Sequence, residues 1–143
     1  MKSFPEWKLL DHTADVRIEV RGETLEKLFV NAALALTYLL SGRRKGFVAN
    51  IEKNIILESD SLDVLLADWL REILFYFSAE NFLLCDASLN IEGVHLLRAR
   101  LSGHISQVAD ESYDGMEIKG VTYHGLSLEK KHEGYVAHVI FDA

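Results

Sequence analysis

Two segments with the period of an amphipathic helix constrain the fold of this chain more than any other feature of its sequence. Apolar residues recur at spacings of three and four over residues 25–40 and again over residues 62–77. Each apolar stripe is wider than a single helix–helix seam, so each helix is expected to lie on a β-sheet. Thr24 can cap the first helix, and Asp60 or Ser61 the second, because their side-chain oxygens accept free backbone N–H groups.

The rest of the hydrophobic pattern predicts β-strands. Short apolar runs, or apolar residues alternating with polar ones, occur in five segments: 16–20, 51–57, 89–101, 121–128 and 135–141. The alternation breaks at Glu92-Gly93, which indicates a hairpin turn, and residues 129–134 form a charged turn that ends in glycine. Two helices among groups of hairpin-connected strands predict an α+β fold. We expect a two-layer sandwich in which one mixed sheet carries both main helices on one face.

Length and charge limit the function classes. A chain of 143 residues predicts a single domain, residues 1–143. Its 15 Lys and Arg against 22 Asp and Glu give a net charge of −7, which argues against a protein that grips nucleic acid. The lone cysteine, Cys85, can form no internal disulfide and is expected to be a buried, inert thiol. Without a signal peptide or a run of about 20 apolar residues, the protein is expected to be soluble and cytoplasmic.

The first candidate for chemistry is Asp11-His12-Thr13-Ala14-Asp15, just ahead of a predicted strand. Its two carboxylates could both reach a hard cation, which prefers oxygen ligands. The alternative is a turn in which the aspartate and threonine side chains bond to their own backbone.

Two further candidates lie in the last quarter of the chain. Asp142 and Ala143 follow the final strand, and together with a terminal carboxylate they would form a compact anionic site suited to a hard cation. If the two ends of the chain meet in space, Asp15 and Asp142 become a pair. Lys119 precedes a strand and could neutralise a phosphate or a partner's carboxylate. The alternatives are a solvated chain end and an ordinary surface lysine.

These segments resemble the archease family over nearly the whole chain and in the right order. The matching motifs are DHTAD at 11–15, GETLEKLF at 22–29, LLADWL at 65–70 with FSAE at 77–80, IKGVTYH at 118–124 and VIFDA at 139–143. Each motif alone is weak evidence for the family. The combination of DHTAD at 11–15, IKGVTYH at 118–124 and the aspartate next to the last residue is specific. The resemblance therefore implies the fold and the function of that family.

The resemblance implies a non-catalytic activator of an RtcB-type RNA ligase, which joins tRNA halves after intron removal and repairs broken RNA. The activator would promote formation of the ligase–guanylate intermediate and multiple turnover. It also implies a divalent-cation site, with calcium favoured over magnesium or manganese, held by Asp15 and Asp142 with an oxygen of Ala143. Lys119 matches a lysine that is important in the family, with Asp11 and His12 as further candidates. The expected partner is the ligase, with no direct contact to nucleic acid or membrane.

Two alternatives from other classes remain open. One is a metal-dependent phosphoester hydrolase that uses Asp11, His12 and Asp15, although the chain has no P-loop and no GxSxG motif. The other is a general chaperone or interaction module with an exposed apolar face, in which Trp69 and Phe75 lie outside the core.

Overall fold

A computed structural model describes residues 6–10, 15–42, 46–107 and 113–143. Two helices and seven strands follow one another in the order β1 (Trp7–Leu10), β2 (Val16–Gly22), α1 (Leu25–Leu40), β3 (Ile51–Glu58), α2 (Leu62–Glu80), β4 (Leu83–Glu92), β5 (Leu96–His104), β6 (Gly120–Lys131) and β7 (Gly134–Asp142). Both predicted helices and the five predicted strand segments are present, while β1 was not predicted. The hairpin turn at Glu92-Gly93 is confirmed. The charged turn is present but shorter than the predicted residues 129–134, because β6 continues to Lys131 and β7 begins at Gly134.

Both helices begin at predicted caps. The Thr24 hydroxyl accepts a hydrogen bond from the Lys27 backbone N–H at 3.1 Å, which satisfies a donor that the first turn of α1 leaves free. Ser61, rather than Asp60, caps α2. Asp63 lies in the first turn of α2, where its negative charge suits the helix dipole.

The strands form two antiparallel sheets. Sheet A has the order β1-β2-β7-β6 and sheet B the order β3-β5-β4, and every pair of neighbours is antiparallel. The predicted α+β class is confirmed, but the single mixed sheet is not what the strands form. The physical reason is the place of β5. Helix α2 connects β3 to β4, and these two strands run in the same direction. They do not pair with each other, because β5 lies between them and is antiparallel to both.

The core lies where the helices meet both sheets. Helix α1 contacts β2 and β7 of sheet A and β4 of sheet B, and α2 contacts β6 of sheet A and β3 and β4 of sheet B. Trp69 is fully buried, and its indole N–H donates to the Phe29 carbonyl at 2.8 Å, which ties α2 to α1. The expectation that Trp69 lies outside the core is therefore wrong, because its ring fills the space between the helices. Phe75 is 60% exposed, as the same expectation required.

Cys85 is half-buried on β4 rather than fully buried. Its thiol lies 3.6 Å from the Phe47 carbonyl oxygen. Burial, and secondarily the charge of Asp86, raise the pKa of the Cys85 thiol. The raised pKa keeps the sulfur protonated at neutral pH, so the thiol is a poor nucleophile, as predicted. Neither helix in the described part of the chain is long and apolar enough to cross a membrane.

Candidate functional site

The pairing of β2 with β7 brings Asp15 and Asp142 to the same end of sheet A. Val16 is paired with Phe141, so the next residues outward, Asp15 and Asp142, face each other across the two strands. Cα atoms of opposed antiparallel residues lie about 5 Å apart. Asp15 is half-buried and Asp142 is exposed. Two carboxylates that are 127 positions apart in the sequence therefore become neighbours in the fold, so Asp15 and Asp142 form a pair.

Lys119 and Gly120 lie beside Asp142 at the start of β6. The Lys119 backbone N–H donates to the main-chain oxygen of Asp142 at 2.7 Å, and Gly120 is the cross-strand partner of Asp142. A Cβ atom at position 120 would lie 3.6 Å from Asp142 Oδ2, so the carboxylate lies over a stretch of backbone that carries no side chain. We call Asp15, Asp142, Ala143, Lys119 and Gly120 the carboxylate edge.

The charged side chains of the carboxylate edge have no partners in the described part of the chain. Neither Asp15 nor Asp142 forms an ion pair or a side-chain hydrogen bond there, and the exposed ammonium group of Lys119 has no carboxylate within salt-bridge distance. Adjacent carboxylates repel each other unless a cation or a basic group lies between them. The arrangement therefore suits a positively charged ligand.

The donors at this edge fit a hard divalent cation. Asp15 and Asp142 supply carboxylate oxygens and Ala143 supplies a main-chain oxygen, which are the ligand types that Ca²⁺, Mg²⁺ and Mn²⁺ prefer. Among the residues that the structure describes, no group of three or more His, Cys, Asp or Glu side chains is placed to hold a metal. The side-chain donors described are thus the two aspartates. Asp11 and His12, the other predicted candidates, lie outside the described residues.

A second row of polar residues crosses the same sheet. Lys8, Glu19, His138 and Ser127 are successive cross-strand partners on β1, β2, β7 and β6. Lys8 Nζ is 3.7 Å and His138 Nε2 is 3.2 Å from the Glu19 carboxylate, and His138 Nδ1 is 3.4 Å from the Ser127 hydroxyl. Arg21 adds a guanidinium nitrogen 3.3 Å from Glu19. We call these five residues the Glu19 row.

The Glu19 row is a network of mutually satisfied groups. Burial raises the pKa of Glu19, but the hydrogen bond with His138 and the charges of Lys8, Arg21 and His138 outweigh it and leave the pKa below its usual value. Ser127, His138 and Glu19 are the residue types of a hydrolytic triad. However, the 3.4 Å contact at Ser127 is long, and the His138 ring is engaged with Glu19, which Lys8 and Arg21 also contact. The Glu19 row therefore connects the side chains of β1, β2, β7 and β6 and stabilises sheet A.

A third polar group, which no sequence pattern predicted, joins α2 to β6. Arg71 donates to the Val121 carbonyl at 2.7 Å, and its guanidinium carbon lies 4.2 Å from the centre of the Tyr123 ring. Asp68 accepts from the Tyr123 hydroxyl at 3.1 Å and from the Ser59 hydroxyl at 2.7 Å. The available signal was the presence of charged residues, Asp68, Arg71 and Glu72, among the apolar residues in the middle of α2.

Strand β5 ends at His104 and β6 begins at Gly120, and the structure describes residues 105–107 and 113–119 between them. Gly115 and Met116 pack against the end of α1, where the Met116 N–H donates to the Leu39 carbonyl at 2.9 Å. Gly115 contacts the backbone of Leu40 so closely that a side chain there would overlap it. These contacts position the segment that leads into Lys119.

His124 lies in the irregular part of β6, where the register with β7 shifts between Thr122 and Ser127. It is exposed, and its backbone N–H donates to the Thr122 hydroxyl at 3.0 Å. Its side chain has no partner in the part of the chain that the structure describes, so His124 belongs to neither the carboxylate edge nor the Glu19 row.

A family model, curated relatives and solved structures all relate this chain to the same protein family. Residues 7–143 match the model of the archease protein family (MTH1598/TM1083). Proteins named archease from Methanosarcina mazei and Archaeoglobus fulgidus are each 33% identical to this chain over 96% of its length, which corresponds to 95% and 98% of those proteins. The solution structure of protein 1598 of Methanobacterium thermoautotrophicum is similar over 98% of this chain and 100% of that one, with a TM-score of 0.80 and 27% identity. The crystal structure of a Thermotoga maritima archease, described as a possible chaperone, covers 95% of this chain and 96% of its own, with a TM-score of 0.63 and 23% identity.

Proposed function

This chain belongs to the archease family, and we propose that it is a non-catalytic activator of an RtcB-type RNA ligase in tRNA splicing and RNA repair. In this proposal it promotes guanylylation of the ligase and repeated turnover. The carboxylate edge is the part that acts on the ligase. The observation that carries the proposal is the juxtaposition of Asp15 and Asp142, with Lys119 bonded to the backbone of Asp142.

The carboxylate edge suits such a role because its charged side chains form no ion pairs within the described part of the fold and can therefore bind a ligand. Asp15 and Asp142 would hold a divalent cation together with the main-chain oxygen of Ala143. Such a cation supplies positive charge that can neutralise phosphate oxygens. Lys119 is held beside them by its backbone bond to Asp142, so that its ammonium group can neutralise an anionic group of the partner or its nucleotide.

The acidic composition supports a protein partner rather than RNA as the direct ligand. With 15 basic against 22 acidic residues, the chain is poorly suited to bind a phosphate backbone by itself. An enzyme that holds RNA carries lysine and arginine for that purpose, and its basic surface is complementary to an acidic activator.

The experiment is guanylylation of a purified RtcB-type ligase with GTP and a divalent cation, with and without this protein. We expect the wild-type protein to raise the rate of ligase–guanylate formation. Asp15→Asn and Asp142→Asn keep the shape of each side chain but remove its charge, and each should lower the stimulation by about tenfold or more, the effect of losing about 1.4 kcal/mol.

The matched control is Asp86→Asn on β4, an exposed aspartate of sheet B. It removes the same charge at a distance from the carboxylate edge and should stimulate as the wild type does. Equal stimulation by the wild type and both edge variants would refute the assigned roles. Stimulation that falls equally in the Asp86 control would point to net charge instead.

A general chaperone function is the second candidate, and the exposure of Phe75 favours it. The Thermotoga maritima relative is described as a possible chaperone. This function requires suppression of the aggregation of unrelated client proteins, measured by light scattering, and it does not require Asp142. Suppression that is unchanged in Asp142→Asn, with no stimulation of a ligase by the wild type, would favour the chaperone function over our proposal.

A further inference from the structure

Arg17 lies on the outer face of sheet A, in the row next to the carboxylate edge. Alternate residues of β2 face opposite sides of the sheet, and Val16 and Ile18 are buried in the core. Arg17 therefore faces away from the helices, as exposed Asp142 does on β7. The cross-strand partner of Arg17 is Ile140, two residues before Asp142. Arg17 and Asp142 are thus diagonal neighbours, about 7 to 8 Å apart.

The guanidinium group of Arg17 has no acceptor in the part of the chain that the structure describes. Arg17 is exposed, and none of its nitrogens lies within ion-pair distance of a described carboxylate. The carboxylate two residues farther along β2, that of Glu19, is contacted by the other members of the Glu19 row instead. A guanidinium group carries five N–H donors in a planar fork that fits the oxygens of a carboxylate or a phosphate. Arg17 is therefore available to an anionic ligand.

The surface between Arg17 and β6 is apolar. Ile140 lies on the outer face, because its neighbours along β7, Val139 and Phe141, belong to the core. It is nevertheless buried, since the turn of β6 at Gly125 covers it so closely that a side chain at position 125 would overlap the Ile140 Cδ1 atom. Arg17 and this turn thus lie on opposite sides of Ile140. Charges interact more strongly beside such an apolar surface than in open water.

A divalent cation would change the charge balance of this region. The side chains of Asp15 and Asp142 carry two negative charges, and those of Arg17 and Lys119 carry two positive charges. A divalent cation bound by the aspartates, as in the proposed function, leaves these groups with a net positive charge. An anion can balance that charge, and phosphate oxygens bind both to hard cations and to guanidinium groups.

We propose that the carboxylate edge binds a phosphate group of the nucleotide used for guanylylation, with Arg17 as the side chain that contacts this phosphate; this inference rests on the proposed function. A nucleotide is favoured over RNA because one arginine and one lysine beside a cation suit a compact phosphate group, whereas an RNA backbone requires several basic side chains along a tract. Arg17 orients the phosphate through paired hydrogen bonds from its guanidinium group. It takes no part in the transfer of the guanylate, which occurs on the ligase.

The first test measures nucleotide binding by the isolated protein. GTP in excess calcium chloride should bind to the wild type in a calorimetric titration, and removal of the cation with EDTA should abolish the binding. Arg17→Gln should weaken the binding of GTP by about tenfold or more, the effect of losing about 1.4 kcal/mol. Arg17→Lys keeps the charge but not the planar fork, so it should weaken binding less. Both variants should fold normally because Arg17 is exposed.

The matched control is Arg100→Gln. Arg100 is an exposed arginine of β5 on sheet B, and it also has no ion-pair partner in the described ranges. The substitution removes the same charge away from the carboxylate edge and should leave the affinity for GTP unchanged. If Arg17 is instead a counter-ion of the two aspartates, Arg17→Gln will tighten the binding of calcium and leave the affinity for GTP unchanged. That result would overturn the inference.

The second test places the same variants in the guanylylation reaction. With the activator at saturation, Arg17→Gln should raise the GTP concentration for half-maximal stimulated rate by about tenfold, and Arg100→Gln should not change it. A defect of Arg17→Gln that is confined to the joining of RNA by a ligase already guanylylated would assign the phosphate to RNA. It would overturn the assignment to the nucleotide.

The outcomes distinguish failure of this inference from failure of the proposed function. Equal affinities for GTP and equal half-saturating GTP concentrations in the wild type and Arg17→Gln would overturn the phosphate site, even where the wild type stimulates the ligase and Asp142→Asn does not. Calcium-dependent GTP binding that is lost in Arg17→Gln, without stimulation of a ligase by the wild type, would support the phosphate site and overturn the activator function. A wild-type protein that neither binds GTP nor stimulates the ligase would overturn both.

Discussion

Sheet A carries two sets of charged residues that the same strands hold in opposite ways. In the Glu19 row the carboxylate is contacted by Lys8, Arg21 and His138, and only 14% of its side chain is exposed. At the carboxylate edge, Asp15 and Asp142 face each other across β2 and β7 with no ion-pair partner in the described part of the chain.

The difference separates charges that stabilise the fold from charges that serve a ligand. A mostly covered carboxylate is tolerated only when hydrogen bonds and opposite charges offset its lost hydration, and Glu19 meets that condition. Two adjacent carboxylates without a counter-charge destabilise the fold slightly and persist at functional sites, where local interactions are not optimised. The contrast therefore favours the carboxylate edge, rather than the Glu19 row, as the functional site.

The largest effect is expected from calcium at the carboxylate edge. Calcium chloride at about 100 times its dissociation constant should stabilise the wild-type protein by about 2.7 kcal/mol, because the ligand binds only the folded state. Asp142→Asn should remove this gain while changing the stability without calcium by less than about 0.5 kcal/mol. Thermal unfolding at a series of calcium concentrations measures both quantities. The comparison of the two regions breaks down if calcium shifts the melting temperatures of the wild type and the variant equally.

Glu19→Gln should show the opposite behaviour, a loss of stability with normal activation. At pH 7 the variant should be less stable by about 1 to 2 kcal/mol, because it loses a carboxylate that three basic side chains contact. Since the folded-state pKa of Glu19 lies below its usual value of 4.5, the wild-type advantage is fully present above that value. It is lost as the pH falls through the lower folded-state pKa. Urea unfolding at several pH values measures this difference.

The control for the pH experiment is Glu52→Gln. Glu52 is an exposed residue of β3 with no ion-pair partner in the described ranges. Its stability curve should follow that of the wild type at every pH. A constant difference between the wild type and Glu19→Gln from pH 7 to acid pH would show that the charge of Glu19 is not what stabilises the row.

The smallest effect is expected at the outer end of the Glu19 row. The Lys8 side chain is 62% exposed, and its nitrogen lies 3.7 Å from the Glu19 carboxylate. Exposed ion pairs contribute little because water and salt screen them, so Lys8→Ala should cost about 0.5 kcal/mol or less. Its urea midpoint should lie close to that of the wild type. A loss as large as that of Glu19→Gln would show that Lys8, rather than His138 or Arg21, dominates the row.

Local pattern was sufficient to predict the helices, their caps and most strands. The apolar period of α1, the hydroxyl at Thr24 and the alternation in β2 are properties of adjacent residues, and the structure confirms each. Strand β1 was missed because its four residues, Trp7–Leu10, are too short to show a period. The single mixed sheet was wrong because the place of β5 between β3 and β4 depends on pairing between distant segments.

The sequence by itself identified Asp15, Asp142 and Lys119 as candidates, through residue chemistry and the resemblance of their motifs to one family. Only the tertiary structure decided that Asp15 and Asp142 are neighbours, because strand register acts between residues far apart in the chain. It also decided that Trp69 is buried while Phe75, on the same helix, is 60% exposed. A helical period shows that a residue is apolar and repeated, but only the packing of the neighbouring strands determines which side of the helix is covered.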